Sequence, residues 1–455
     1  MFIVDKLRNF EHVRSRPPPH CFKAKSDERE SSSNIERILG VMDSNGIKPN
    51  MRSFTIYIDS FAQKHDFDSV NESNNILSRL VDMYLAGELD FEPDVACWTT
   101  VIRGWMRLAK KRRIAAAKAE EVMERMIVLH DDGKISVQAD AVVYFSVLNA
   151  WVYAGSMADA ERILDTMDYL WKQGDEEMKP MLRTYKTIID GWVKSPEEGA
   201  MERAENLQKK VIVRCEEDGE DEVLPDVYKS LVFGYSKNDN PFKAEEYLRL
   251  MIEKNYEPDS FCFDKVIESY TALGDPDIIK NAYGVFELME SCQKRGIMKP
   301  PNERVYTSII RAIAKEGKPG MAKKAQTIVR RMQQLYERGN NSVLPTVFTY
   351  NAVLKACAHS VPLDENERRT AFNTAIGAFN VLRSSDDLIP DHVTYSALIK
   401  CSHLLPEGEQ RDNLIKATFN QCVNNDKMND FFVRDLEDYG SDELSRQLLS
   451  QIGRL

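Results

Sequence analysis

The residues with catalytic or metal-binding potential are scattered along this chain. Its eight cysteines are Cys21, Cys97, Cys215, Cys262, Cys292, Cys357, Cys401 and Cys422. None forms a C-x-x-C pair, and none stands at zinc-finger spacing from a histidine. Most lie inside apolar patterns of helical period, so they read as buried, reduced thiols. Cys401 and His403 are two positions apart and chelate poorly from one helix. No Gly-rich phosphate loop and no Ser-His-Asp arrangement is visible. Asp430, Asp435, Glu437, Asp438, Asp442 and Glu443 cluster late in the chain. Their interleaving with Phe431, Phe432, Leu436, Leu444 and Leu448 reads as two capping helices with a solvated acidic face. The expectation is a protein that is not an enzyme and carries no cofactor or metal.

One polar residue stands out by its place. In the stretch VFTYNAVLKACA, Val347 to Ala358, Asn351 directly follows Tyr350 in the first turn of an amphipathic helix pattern. Asn is a poor helix former, so this position asks for a reason. From Tyr350, apolar residues follow at three, four and seven places (Val353, Leu354, Cys357), which is one helix face. The same aromatic anchor with its apolar pair recurs at Phe54, Trp98, Tyr144, Tyr185, Tyr228, Phe263, Tyr306 and Tyr395. Successive anchors are 44, 46, 41, 43, 35, 43, 44 and 45 residues apart. So regular a pattern is a repeat.

A second helical pattern follows most anchors. It pairs an Ala with an apolar residue seven places on, as in Ala119/Met126, Ala160/Met167, Ala244/Met251 and Ala325/Met332; the first copy has Ile76/Met83. Seven positions are two helical turns, so both residues face one way. Most units then close on a proline and a turn residue, such as Pro93-Asp94, Pro258-Asp259 or Pro390-Asp391, and one closes on Ala139-Asp140. Each unit is therefore helix, turn, longer helix, turn. Such hairpins bury their faces only by stacking. The predicted fold is an all-α solenoid of helix-turn-helix repeats. Residues 1–33 read as a disordered or targeting-like tail and 34–50 as a partial repeat. Residues 51–425 read as about nine hairpins, and 426–455 as capping helices.

With 455 residues, 43% hydrophobic and 29% charged, the chain has ample core material. No run approaches the roughly 20 apolar residues of a membrane helix, so no membrane contact is expected. The net charge of −11 argues against a simple nucleic-acid binder but leaves room for a local basic groove. The first 25 residues hold six cations (Lys6, Arg8, Arg14, Arg16, Lys23, Lys25) against Asp5 and Glu11. They also hold Pro17, Pro18 and Pro19 and are short of Ser, so a presequence and a disordered tail both fit.

The string Leu-Ile-Pro-Asp-His-Val-Thr-Tyr-Ser-Ala-Leu-Ile, 388–399, resembles the pentatricopeptide repeat (PPR). So do Val-Leu-Pro-Thr-Val-Phe-Thr-Tyr-Asn-Ala-Val-Leu, 343–354, and the helix from Ala244 to Met251 leading into Glu257-Pro258-Asp259. The resemblance covers roughly residues 34–425. It implies a right-handed superhelix. The usual unit is about 35 residues, and here only the Tyr228 to Phe263 interval matches it. The other units are expanded; Gly339-Asn340-Asn341-Ser342 and the acidic run 216–222 look like insertions.

The resemblance also implies single-stranded RNA as partner, one base per repeat, and no small-molecule substrate. Two side chains would read each base: the residue after the anchor and the residue after the closing proline. A residue after a buried anchor lies about 100° round the helix and is expected on the concave surface. Thr55/Asp94 and Thr99/Asp140 match combinations that imply guanine, and Asn351/Asp391 the one that implies uracil. Phe145/Met181 has no base-specific hydrogen bond to offer. Lys186/Asp226, Lys229/Asp259, Asp264/Asn302 and Thr307/Thr346 are not clear pairs, and Ser396 has no recognisable partner. A basic line nine or ten residues beyond the anchors, Lys64, Arg107, Lys194, Lys237 and Lys315, is expected to track phosphates. Cations at helix ends also suit the helix dipole. The implied setting is organelle RNA processing, stability or translation, in a mitochondrion or plastid. The alternative is a helical scaffold for protein partners with degenerate RNA binding.

Overall fold

A computed structural model describes residues 50–219, 224–385 and 387–451. The expected tail, and all but the last residue of the expected partial repeat, lie outside the described residues. Every regular element among the described residues is a helix. The chain divides after Val223 into two compact units.

In the first unit the leading helices of the hairpins are α1 (Met51–Ala62), α3 (Val95–Ala109), α5 (Ala141–Tyr153) and α7 (Leu182–Lys194). Their second helices are α2 (Phe67–Leu85), α4 (Ile114–Asp131), α6 (Met157–Lys172) and α8 (Ala200–Asp218). In the second unit the leading helices are α9 (Leu224–Lys237), α11 (Ser260–Ala272), α13 (Glu303–Glu316), α15 (Val347–Ala358) and α17 (His392–Lys400). Their second helices are α10 (Pro241–Glu253), α12 (Pro276–Lys294), α14 (Met321–Glu337), α16 (Glu365–Ser384) and α18 (Glu409–Asn424). A last pair follows, α19 (Asp430–Tyr439) and α20 (Asp442–Ser450).

Within each unit the leading helices lie side by side, α1 on α3 on α5 on α7, and α9 through α19 in the same way. Second helices pack against their own leading helix and the next one. All nine anchors are buried, none more than 6% exposed. An anchor fills the space against the second helix of the preceding hairpin. Tyr306 meets Phe286 edge-on at 5.5 Å, and Tyr395 meets Phe379 at 6.0 Å. Tyr185 donates its hydroxyl to Asp168 at 2.5 Å, and Tyr350 accepts from Gln333 at 3.2 Å. Burial of each such ring contributes about 1.5–3 kcal/mol. The Ala of the second-helix pattern is fully buried in each of the seven copies from Ala119 to Ala375, as its spacing predicts.

A further column sits six places beyond each anchor: Ser60, Gly104, Ala150, Gly191, Gly234, Ser269, Ala312, Ala356 and Cys401. Every member is small. At Gly104 a Cβ would stand 3.1 Å from the Cβ and 3.2 Å from the Cα of Ala62 on α1. That is the close approach on which the α1–α3 contact depends.

Ion pairs join consecutive second helices across the other side. Arg125 reaches Asp82 at 3.4 Å, Arg162 reaches Glu120 at 2.8 Å, Arg203 reaches Glu161 at 3.3 Å, and Arg331 reaches Glu290 at 2.7 Å. Most are half exposed, so each contributes little alone. The seven described cysteines are free and buried, as expected. Burial pushes the Cys97, Cys262 and Cys357 thiols up to about 12, which leaves them unreactive at neutral pH.

The glycines of the small column separate two outcomes. Gly104→Ala drives a methyl onto the α1 backbone and should cost about 1–3 kcal/mol. At Gly191 the nearest obstacle is the mobile end of Met157, so Gly191→Ala should be neutral or gain up to about 1 kcal/mol in helix propensity. Paired chemical denaturation of the two variants checks this.

Candidate nucleic-acid interface

Four of the closing aspartates act first as helix N-caps, whereas Met181 and Asn302 make no side-chain cap bond. Asp94 accepts from the Cys97 backbone N–H at 2.9 Å, Asp140 from Val143 at 2.9 Å, Asp259 from Cys262 at 3.0 Å and Asp391 from Thr394 at 2.8 Å. In each case the anchor lies four residues after the cap. A cap satisfies one of the orphan donors of the first turn, so the turn residue expected there has a specific local duty. Asp226 differs. It lies inside the first turn of α9, two residues before Tyr228, and is not the structural equivalent of the other closing residues.

The residues one place after the anchors do not all line an open face. Asp264 is 2% exposed, Thr307 3%, Asn351 5% and Thr99 6%, while Thr55, Lys186, Lys229 and Ser396 are half-buried. A turn of 100° from a buried anchor reaches solvent only on a helix packed on one side. Within each unit a leading helix packs on its neighbouring leading helices, so Thr99, Asp264, Thr307 and Asn351 fall between helices.

What these residues touch varies. The Thr55 hydroxyl bonds to the Met51 carbonyl and the Cys97 thiol, both at 3.0 Å. Thr99 donates to the Val95 carbonyl at 2.7 Å. Ser396 hydrogen-bonds to Asp435 on α19, which also pairs with Lys400 at 3.1 Å. Lys229 stands 3.7 Å from Asp259, the closing residue of its own repeat. Thr307 and Thr346 are linked through one acceptor, Glu303 Oε1, at 2.9 Å from each hydroxyl. Asp264 accepts from Ser308 at 2.6 Å. Burial raises its carboxyl above the ordinary 3.8, and the Ser308 bond only partly opposes this.

The Asn351/Asp391 pair is in direct contact. Asn351 Nδ2 donates to Asp391 Oδ1 at 3.0 Å, and Thr394 Oγ1 donates to Asn351 Oδ1 at 2.6 Å. Burial alone would raise the Asp391 carboxyl. The Thr394 N–H, the Asn351 amide and the Thr394 hydroxyl outweigh it, and the net effect lies below the ordinary 3.8. An amide nitrogen carries two hydrogens and a carboxylate two oxygens. No bond among the described residues takes the second hydrogen of Asn351 Nδ2 or the Oδ2 of Asp391. A donor beside an acceptor is left over.

The more open column is two places before the anchors: Arg52, Ala96, Val142, Arg183, Asp226, Phe261, Arg304, Phe348 and Val393. All but Val393 are exposed. Three are large and apolar: Val142 at 41%, Phe261 at 45% and Phe348 at 64%. Reading the sequence by its anchors passed over this column. The available signal was apolar or Arg residues on a helix's first turn, outside the buried stripe.

The expected phosphate line splits. Arg107 donates to the Ala62 carbonyl at 3.1 Å and Lys315 to the Thr271 carbonyl at 3.0 Å. Both bonds cap the end of the preceding leading helix. His359, in the same register, contacts the Ala314 carbonyl at 3.1 Å. Lys64 lies over the Phe61 ring at 4.5 Å. Lys194 and Lys237 are exposed.

The fold and this interface define a class: a stack of helical hairpins with a repeated polar pair between leading helices. Residues 226–256 match the model of the PPR repeat, and residues 287–360 that of the pentatricopeptide repeat domain. Over these residues the chain carries pentatricopeptide repeats. It is 24% identical over 182 residues to a chloroplastic pentatricopeptide repeat-containing protein of Arabidopsis thaliana, covering 35% of this chain and 21% of that protein. A second Arabidopsis thaliana pentatricopeptide repeat-containing protein is 25% identical over 203 residues, covering 44% and 32%. The chain thus spans a third or less of these relatives. Among solved structures, the pentatricopeptide repeat protein PPR10 from maize aligns with 93% of this chain and 66% of its own, at 16% identity and a TM-score of 0.44. Yeast Rmd9p in complex with its target RNA aligns with 89% and 96%, at 11% identity and a TM-score of 0.33.

The two carboxylates predict opposite pH responses. The lowered Asp391 stabilises the fold above the unfolded value of 3.8, and that contribution is lost as pH falls through its folded value. The raised Asp264 is a burden that grows as pH rises through and above 3.8. Asp391→Asn should therefore lower Tm at pH 7, and Asp264→Asn should raise it. Both differences should shrink in strong acid, which a Tm series against pH checks.

Proposed function

We propose that this chain binds single-stranded RNA sequence-selectively and without catalysis, acting in organelle RNA processing, stability or translation. The observation that carries this reading is the Asn351–Asp391 contact, with one donor and one acceptor unspent. That arrangement complements the adjacent carbonyl and N3–H of uracil. Phe348, exposed one turn away, supplies a face on which a base can stack. Thr55, Asp94, Thr99 and Asp140 are proposed as guanine readers, with Ser396 as a reader whose preference its Asp435 contact sets. Their hydroxyls must turn from present partners to reach a base. Lys194 and Lys237 are the proposed phosphate contacts, and Lys64 a weaker one. Arg107 and Lys315 contribute mainly through the helix ends they cap. Organelle placement rests on the family and on the chloroplastic relative.

The protein-scaffold reading draws on the repeats of Asp264 and Thr307. Their readers are sealed between helices by Ser308 and Glu303.

Selection from pooled single-stranded RNA at about 50–150 mM salt tests the proposal. The expected winners carry two guanines separated from a uracil by the five repeats between Thr99 and Asn351. Absence of any RNA affinity sinks the reading. Asn351→Ala should relax the uracil preference at a cost of about 1–3 kcal/mol. Phe348→Ala should weaken binding by a similar amount, about 1–3 kcal/mol, without changing preference.

The basic line makes a separate prediction. Lys194→Ala and Lys237→Ala should each reduce the slope of log affinity against log salt by about 0.7. Arg107→Ala and Lys315→Ala should lower stability more than the slope, as a melting curve and a salt titration on each variant will show.

A further inference from the structure

The second helices of the first unit carry a feature that RNA binding does not use. Nine places beyond the buried small position (Ile76 in the first copy), the residue is Leu85 on α2, Val128 on α4, Tyr169 on α6 and Val213 on α8. Nine positions turn a helix through half a revolution, so these side chains point directly away from the core. They are 44%, 57%, 62% and 54% exposed. An outward helix position is ordinarily polar. In the second unit the same register holds Glu253, Ser291, Gln334 and Ser384. The apolar choice is thus not imposed by the repeat.

The four helices are neighbours, as the Arg125–Asp82, Arg162–Glu120 and Arg203–Glu161 ion pairs show. One such side chain on each of four consecutive second helices makes an apolar ridge along this unit. One edge of it is acidic. Glu88, Asp131, Asp132, Glu216 and Glu217 are all exposed at or just beyond the C-termini of α2, α4 and α8. His130 pairs with Asp131 at 3.5 Å and Lys134 with Asp132 at 2.9 Å, and Lys172 ends α6. These cations leave the edge negative. Helix C-termini already carry partial negative charge, so acids there raise the free energy of the isolated chain. A positive partner would relieve it. Four leading helices do the reverse and carry a cation in the last turn, Arg107, Lys194, Lys237 and Lys315.

We propose that this ridge docks a basic amphipathic helix of a partner protein, laid across the four second helices. Apolar residues seven apart on such a helix share one face and can meet successive side chains of the ridge. Lys and Arg on its flank meet the acidic edge. Between α6 and α8, Tyr169 borders a shallow cleft with Glu161, Asp165 and Arg203. An aromatic face beside carboxylates is a seat for a guanidinium or ammonium. Arg203 and Lys210 hold those carboxylates only by long, exposed pairs of 3.3 and 3.5 Å, which exchange readily.

The probe is a fluorescein-labelled helical peptide of about 28 residues with Leu at every seventh position and Lys on one flank. Anisotropy with the full chain should show saturable, salt-sensitive binding. The variant Val128→Glu/Tyr169→Glu should weaken it by about tenfold or more, as should a Glu-for-Lys peptide. Glu216→Lys/Glu217→Lys tests the acidic edge with the ridge intact and should also weaken it. RNA affinity should stay unchanged in both variants, so the two sites fail independently. Equal binding of the Lys and Glu peptides, or no response to either variant, overturns the proposal. So does no peptide binding at all. Self-association of the chain that Val128→Glu/Tyr169→Glu abolishes would assign the ridge to a second copy and also overturn it.

Discussion

The first two leading helices, α1 and α3, lie close together because the position between them, Gly104, carries no side chain. That position, six beyond each anchor, runs from Ser60 to Cys401 without a large side chain. At Gly104 an added methyl group would stand 3.1 Å from the Ala62 Cβ and 3.2 Å from its backbone, so α1 would have to give way. Close approach brings the polar first turns of adjacent hairpins within hydrogen-bond reach. It puts Asn351 on Asp391, and Thr307 and Thr346 on a common Glu303. A side chain that reads a base here is thus also part of the joint between repeats.

That dual duty shapes the chemistry of the interface. Asp391 caps α17, accepts from Asn351 and Thr394, and still keeps an oxygen free. The bonds it already makes hold it ionised and fixed in place, so a ligand would meet an acceptor that needs no reorganisation. Asp264 has its polar neighbour in Ser308, but the site is dry enough that its charge is costly. The same architectural position therefore yields a poised reader in one repeat and a sealed contact in another.

Much of this was legible in the sequence. The aromatic anchors and Ala/Met pairs alone specified which faces are buried, because a helix translates spacing into direction at a constant rate. The closing prolines marked the boundaries, and the family resemblance paired Asn351 with Asp391. Exposure of the first turn was not legible. A single-helix projection places Thr99 and Asn351 at the edge of the buried stripe, and only the neighbouring hairpin decides that they are covered. The capping role of Arg107 and Lys315 was hidden for the same reason, since their acceptors lie 45 and 44 residues earlier on another helix. The small column was visible, but its meaning appears only when the preceding helix is in place.

The bonds between second helices share one direction. In Arg125–Asp82, Arg162–Glu120, Arg203–Glu161 and Arg331–Glu290 the cation belongs to the later hairpin and the carboxylate to the earlier. The carbonyl caps from Arg107, Lys315 and His359 run the same way. Along these second-helix ion pairs each hairpin therefore offers two unlike faces, carboxylates toward the next hairpin and cations toward the one before. Joints of that kind are heterologous: they join head to tail and do not close on themselves. Two such faces left bare by a cut between hairpins would attract each other across molecules. A stack of this kind carries an intrinsic tendency to lengthen, which only a change of sequence at its terminal hairpins can arrest.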